Sequence, residues 1–392
     1  MKLTDPKLLS FYETHLFDQV MPFWTPLLDQ ECGGLNNCVD NTGTILSHDK
    51  YLWSQGRALW VFSALYNELG GDSRWLKYAE NVANFIKAYN RCREGHWPFI
   101  LNRDGSVKDP PMSIYVDAFM IYGLTEYARA VHDDEALQIA LDTYRLTSPN
   151  LGDHTRLDTR PHPIPENLQS HGVWMIFALV YHDLGVVADD PEIRARALEL
   201  AERIFTDHVK PGDELLYEMV SPGGHVTESD AGLTFVPGHS IESMWFMERI
   251  YRYHGREDRI RLAMNVMRWN LEKGWDGEFG GLYLACHRDG GPPAWHGPES
   301  KVWWPHTEAL YGLICADAHV DAPWCGEWYE RIHEYSFGHF PNLEHGDWHH
   351  YLDREGDPIA NIIPGLQVKD PFHLPRALIY AISRLRDCRK KP

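Results

Sequence analysis

Two short segments far apart in the chain, Pro237-Gly-His-Ser-Ile-Glu242 and Phe372-His-Leu-Pro-Arg376, each set a histidine where a helix is predicted to begin. The first turn of a helix carries unpaired N–H groups and a partial positive charge, a setting that suits anionic or enolate-like oxygen. Histidine is the side chain whose proton moves most readily near neutral pH. Aimed at one carbon from opposite faces, His239 and His373 could remove a proton from one side and return it on the other. Glu242 follows His239 by three residues and shares its helical face, so its carboxylate can orient the imidazole or bind a hydroxyl. Arg376 follows His373 at the same spacing, and Pro375 suits a first helical turn, which leaves His373 just outside the helix.

Other residues could complete such a site. Arg57 lies four residues after Trp53, so a permanent cation able to stabilise charge on an oxygen and an indole able to wall a pocket face the same way. Tyr115 and Asp117 open a further predicted helix and are candidates for hydroxyl contacts or caps. Asn167-Leu-Gln-Ser-His171 places Asn167 and His171 on one face at the predicted start of another. The cluster His345-Gly-Asp-Trp-His349-His350 invites a metal reading, but adjacent residues of a hairpin point to opposite faces, so no metal is expected there. Trp348 is instead expected to cover a ligand. There is no Walker-type phosphate loop, and no cofactor is expected.

The elements that must position these residues repeat. Helical periodicity predicts an outer set over 6–28, 75–89, 133–146, 191–208, 257–273 and 324–339. A second set, richer in Trp, Phe, Tyr, Leu and Ala, is predicted over 51–69, 115–131, 168–184, 239–253, 305–319 and 375–385. Six exposed helices alternating with six buried ones imply an all-α fold, a closed (α/α)6 barrel or toroid. The turns Asp40-Asn-Thr-Gly43, Arg103-Asp-Gly-Ser106, Pro222-Gly-Gly224, Arg288-Asp-Gly290 and Arg354-Glu-Gly356 predict short β-hairpins, each ahead of an inner helix. The hairpins and the inner-helix N-termini should therefore share one face, and the candidate residues with them.

Composition bounds the function. No segment of the 392 residues reads as a linker, so a single domain over 1–392 is expected. The 44% apolar and 12% aromatic content is that of a globular protein with an aromatic surplus, and some of its fifteen tryptophans are expected to stack on a ligand. A formal charge of −19 opposes binding to nucleic acid or to an anionic membrane. Seven scattered cysteines without a Cys-x-x-Cys pair, and no apolar run of membrane-spanning length, predict a soluble cytoplasmic protein with reduced thiols. A homodimer is left undecided.

The two histidine segments, together with Tyr51-Leu-Trp-Ser-Gln-Gly-Arg57 and Lys301-Val-Trp-Trp-Pro-His-Thr-Glu308, resemble the N-acylglucosamine 2-epimerase family, which includes cellobiose 2-epimerases and mannose or sulfoquinovose isomerases. The resemblance runs in order from the first helix through Arg376. It implies an (α/α)6 barrel and reversible proton transfer at C2 of an open-chain monosaccharide or disaccharide, with His239 and His373 as acid and base and Arg57 stabilising an enediolate. It also implies a sugar-binding role for Glu308, alongside Trp304 and His306. The Asn167/His171 spacing resembles the cellobiose epimerases and sugar isomerases, and an imidazole suits a hydroxyl better than an acetamido methyl. That favours a free aldose such as mannose or glucose over N-acetylglucosamine or N-acetylmannosamine. The run Gly365-Leu-Gln-Val-Lys-Asp-Pro-Phe departs from the Gly- and Trp-rich sequence usual before this histidine. An α/α-barrel glycoside hydrolase or lyase using Glu242 and Glu308 is the rival reading, and a non-catalytic sugar-binding homologue the third.

Overall fold

The computed structural model describes residues 1–89, 95–154, 157–320, 322–360 and 368–390, with residues 389 and 390 described by backbone alone. The outer helices are α1 (Leu8–Thr14), α3 (Ser73–Ala88), α5 (Asp134–Thr147), α7 (Pro191–Arg203), α9 (Glu257–Gly274) and α11 (Trp324–His339). The inner helices are α2 (Leu52–Leu69), α4 (Ile114–Val131), α6 (His171–Val187), α8 (Pro237–Tyr253), α10 (Trp303–Asp317) and α12 (His373–Lys390). Each inner helix packs on the next and α12 closes on α2, so the chain forms an (α/α)6 barrel.

Local chemistry fixes both sets. Asp72, Asp133 and Asp190 cap α3, α5 and α7 by accepting from first-turn N–H groups, and the amphipathic helices that follow bury one stripe. The inner helices are apolar almost all round, as α6 shows with every residue from His171 to Gly185 buried. The predicted continuous helix over 6–28 is interrupted. A π-helical turn, His15–Val20, follows α1, and short helical turns Met21–Trp24 and Thr25–Leu27 come after it, because Pro22 and Pro26 cannot donate to an α-helical ladder. The last helix begins at His373 rather than after it.

The strand pairs differ from a simple set of hairpins. Turns 40–43 and 103–106 close local hairpins. Val209–Lys210 pairs locally with Leu215–Leu216, while four further pairings stitch the lead-in of one inner helix to the loop ahead of the next: Lys50–Tyr51 with Ile100–Leu101, Gln169–Ser170 with Met219–Val220, Thr234–Phe235 with Cys286–His287, and Lys301–Val302 with Tyr351–Leu352. The first N–H groups of α2, α4, α6 and α10 donate across the same seams, to Phe99, Asp158, Glu218 and His350. Lys369 N donates to Asn37 O and completes the ring. Helix starts that would otherwise leave buried donors unpaired thus gather the inner N-termini on one rim.

Three copies of one loop brace this rim, a repeat absent from the sequence-based expectation. Asp29-x-Glu-x-Gly33-Gly34, Asp276-x-Glu-x-Gly280-Gly281 and Asn342-x-Glu-x-Gly346-Asp347 share one hydrogen-bond pattern, and the last two residues of each have positive φ. Each holds a fully or nearly buried lysine from an inner-helix lead-in: Lys50 on Asp29 at 3.3 Å, Lys301 on Asp276 at 2.9 Å and Lys369 on Asp347 at 2.9 Å. Burial opposes charge on Asp276, yet Arg354 and Lys301 hold it well below the usual carboxylate range. Removing one partner of such a pair strands a buried charge. Lys301→Ala should therefore destabilise the protein by about 3–5 kcal/mol in urea unfolding, whereas a loss below about 1 kcal/mol, the value expected of an exposed pair such as Lys2–Glu330, would contradict the clamp.

Candidate active site

Inside the rim, the first turns of all six inner helices face one cavity of about 230 Å³. This lies below the ~300–1,000 Å³ of drug-sized sites and suits a small polar molecule. Trp53, Arg57, Tyr115, Glu242, Trp304, His239 and His373 all line it. The Trp304 ring lies against both imidazoles, its centroid 5.1 Å from that of His239 and 5.6 Å from that of His373.

Each histidine is backed by a carboxylate. His239 Nδ1 lies 2.9 Å from Glu218 Oε2, and His373 Nδ1 lies 2.8 Å from Glu308 Oε1. A carboxylate only accepts, so Nδ1 carries the hydrogen in both and Nε2 is the free ring nitrogen. The two pairs are tuned in opposite directions. Burial disfavours the His239 imidazolium, but Glu218 and then Glu242 outweigh it and raise its pKa above the ordinary value. His373 is pushed well below the ordinary value by burial, with Arg376 and Arg57 adding to the effect against Glu242. Near neutral pH the cavity therefore holds one imidazole prone to give a proton and one prone to take it.

Behind His373, a single Arg376 nitrogen donates to both Glu242 Oε1 and Glu308 Oε1. Glu308 also accepts from Trp245 Nε1 at 2.8 Å. Glu242, Glu308 and His373 have ligand atoms within 4.8 Å of one another, a group that could hold a cation, but Arg376 already supplies the positive charge among them. The same bridge argues against a hydrolase pair. Glu308 is fully buried and shares its cation with Glu242, instead of standing across a bond from it.

Several expected contacts fall elsewhere. Glu308 and Arg376 lie behind the cavity wall and act on it through His373 and Glu242. His306 is buried between Val302 O and Leu282 N, where it ties the Gly280-Gly281 loop to α10. Trp348 is fully buried against Phe340 and donates to His15, so it does not cover the cavity. Asn167 is exposed with φ 60°, four residues ahead of the helix that begins at His171, so the two share no helical face. His171 points away from the cavity, with Nδ1 3.7 Å from Glu218 Oε2. Asp117 is taken up by His96 and Trp97 N. His350 stacks on Trp303 at 3.7 Å while His345 stands beside Glu344 at the surface, so the 345–350 cluster does not converge.

Two carboxylates of the site were not expected. Glu218 is the one charge in Leu215-Leu-Tyr-Glu-Met-Val, a run otherwise fit for a buried strand, and that anomaly is its sequence signal. Asp370, two residues before Phe372, lines the cavity and accepts from Arg57 Nη1 at 2.8 Å. Gly365-Leu-Gln, part of the divergent run before it, lies outside the described residues, as does Cys92.

The chain is a member of the N-acylglucosamine 2-epimerase (GlcNAc 2-epimerase) family, whose profile it matches over residues 33–374, and is a carbohydrate enzyme of the isomerase class. It is 29% identical over 372 residues to the N-acylglucosamine 2-epimerase of Bos taurus, covering 92% of this chain and 87% of that protein. The cellobiose 2-epimerase structure from Bacillus thermoamylovorans superposes with a TM-score of 0.84 at 22% identity, covering 97% of this chain and 100% of that one. A D-mannose isomerase structure superposes with a TM-score of 0.80 at 17% identity, covering 97% and 99%. Among the described residues no helix is long and apolar enough to cross a membrane.

The opposite tuning can be tested without substrate. Glu218→Gln removes the charge that favours the His239 imidazolium, so the His239 pKa read by nitrogen NMR should fall below the ordinary value of 6.5, while His373 stays low. A His239 pKa that does not move would separate Glu218 from the tuning.

Proposed function

We propose that this protein interconverts an open-chain reducing sugar with its C2 epimer or its ketose by proton transfer between His373 and His239. The observation that carries the reading is the pair of carboxylate-backed histidines, tuned apart, both against Trp304 in one cavity. Neutral His373 takes the proton from C2 through Nε2. The electron pair of the C–H bond enters the C1–C2 bond as O1 gains negative charge, and the Arg57 guanidinium, facing the cavity, stabilises that enediolate. His239, protonated at Nε2, returns a proton to the opposite face of C2 to give the epimer, or to C1, with the O2 proton passing to O1, to give the ketose. In the reverse direction the two exchange roles.

The substrate we infer is an unmodified aldose such as mannose or glucose. Ser170, Tyr115, Glu242 and Asp370 give a sugar several hydroxyl partners in the cavity. His171 faces Glu218 and does not contribute to that preference. An N-acetylhexosamine is the second reading, favoured by the identity to the bovine enzyme and by an apolar wall of Met175, Ile176 and Leu284 that could take an acyl methyl. Chromatography of products from mannose, glucose, N-acetylmannosamine and N-acetylglucosamine decides between them and identifies epimer or ketose.

His239→Ala and His373→Ala should each reduce turnover by at least about a hundredfold with the fold retained, and near-normal turnover in both would sink the assignment. The same tuning predicts a bell-shaped dependence of kcat/KM on pH. Activity should fall on the acid side as His373 gains a proton, well below 6.5, and on the alkaline side as His239 loses one, above 6.5. A profile whose two limbs both lie below 6.5 would contradict it.

A further inference from the structure

Asp370 is 7% exposed and sits on the lead-in to α12, where it lines the cavity beside Arg57. Its Oδ2 accepts from Arg57 Nη1 at 2.8 Å and from Ser54 Oγ at 3.4 Å. Its Oδ1 is buried and has no hydrogen-bond partner among the described residues, and neither does Arg57 Nε. A buried acceptor without a donor is unfavourable, and a ligand hydroxyl is the group that would satisfy it.

The cations around the cavity are already engaged. Arg57 is the one guanidinium or ammonium among the described lining residues, and Asp370 holds it. His239 faces Glu218, and Arg376 behind the wall bridges Glu242 and Glu308. A sugar carrying a phosphate, sulfonate or carboxylate would meet the Asp370 and Glu242 carboxylates without a spare cation to balance it. We propose that Asp370 is a specificity-determining residue that accepts a hydrogen bond from a hydroxyl of a neutral sugar and, with its charge, turns anionic sugars away.

The inference rests on reading the cavity as a sugar site, and its test separates the two. Because Trp53, Trp303 and Trp304 line the cavity, tryptophan fluorescence can follow binding of mannose, glucose and N-acetylmannosamine, and of the 6-phosphate of whichever binds best. C2 hydrogen exchange in heavy water is measured in parallel. Wild type should bind the neutral sugar at least about tenfold more tightly than its phosphate. Asp370→Asn and Asp370→Ser, with unchanged circular dichroism, should bind it at least about tenfold more weakly and lose most of that discrimination. Wild-type affinity and discrimination in either folded variant would overturn the role of Asp370 while leaving the epimerase reading intact. Weakened binding in the variants without C2 exchange in wild type would uphold Asp370 and overturn the epimerase reading, and binding of none of the sugars would overturn both.

Discussion

The site depends on one buried cation. Arg376 is fully buried, packed among the Phe372, Trp245 and Phe246 rings, and its guanidinium reaches two carboxylates from two other helices. Glu242 on α8 and Glu308 on α10 could not both remain charged in that apolar setting without it, since an uncompensated buried charge costs several kcal/mol. The bridge thus draws α8, α10 and α12 together at the cavity floor. It also sets the chemistry. Glu308, fixed by Arg376 and Trp245, accepts from Nδ1 of His373 and leaves Nε2 toward the cavity, while burial, reinforced by the same positive charge, keeps His373 neutral.

The opposite histidine is built from different parts to a different end. Glu218 comes from the strand seam between the third and fourth inner helices, not from a helix. Ser170 Oγ and Gly172 N donate to its Oε1, which leaves Oε2 for His239. With no guanidinium beside it, this carboxylate favours the imidazolium. An imidazole backed by a carboxylate alone and one backed by a carboxylate that shares an arginine arrive at opposite protonation states from the same residue types.

Much of this was legible in the sequence because it is local. Apolar stripes, Asp caps and terminal glycines such as Gly70, left-handed at φ 111°, mark helices whose order leaves few alternatives to a closed barrel. His239, His373, Arg57 and Trp53 were readable because helix starts were. What was not legible depends on partners distant in the chain. The strand seams pair residues about fifty apart, as Lys50 with Leu101 and Ser170 with Met219, and nothing in either short segment names its mate. His171, His306 and Trp348 have the residue types of a sugar site, but packing turns them toward Glu218, Leu282 and His15. The Asn167 to His171 spacing misled because it assumed helix four residues before the helix starts.

The central claim is that one sugar carbon lies between two histidines. A crystal structure with a bound linear sugar alcohol, which mimics the open chain but cannot react, tests it most directly. The account predicts C2 at roughly 3–3.5 Å from Nε2 of both His239 and His373, on opposite faces. A polyol whose C2 lies within reach of only one imidazole, or with both on the same face, would contradict it.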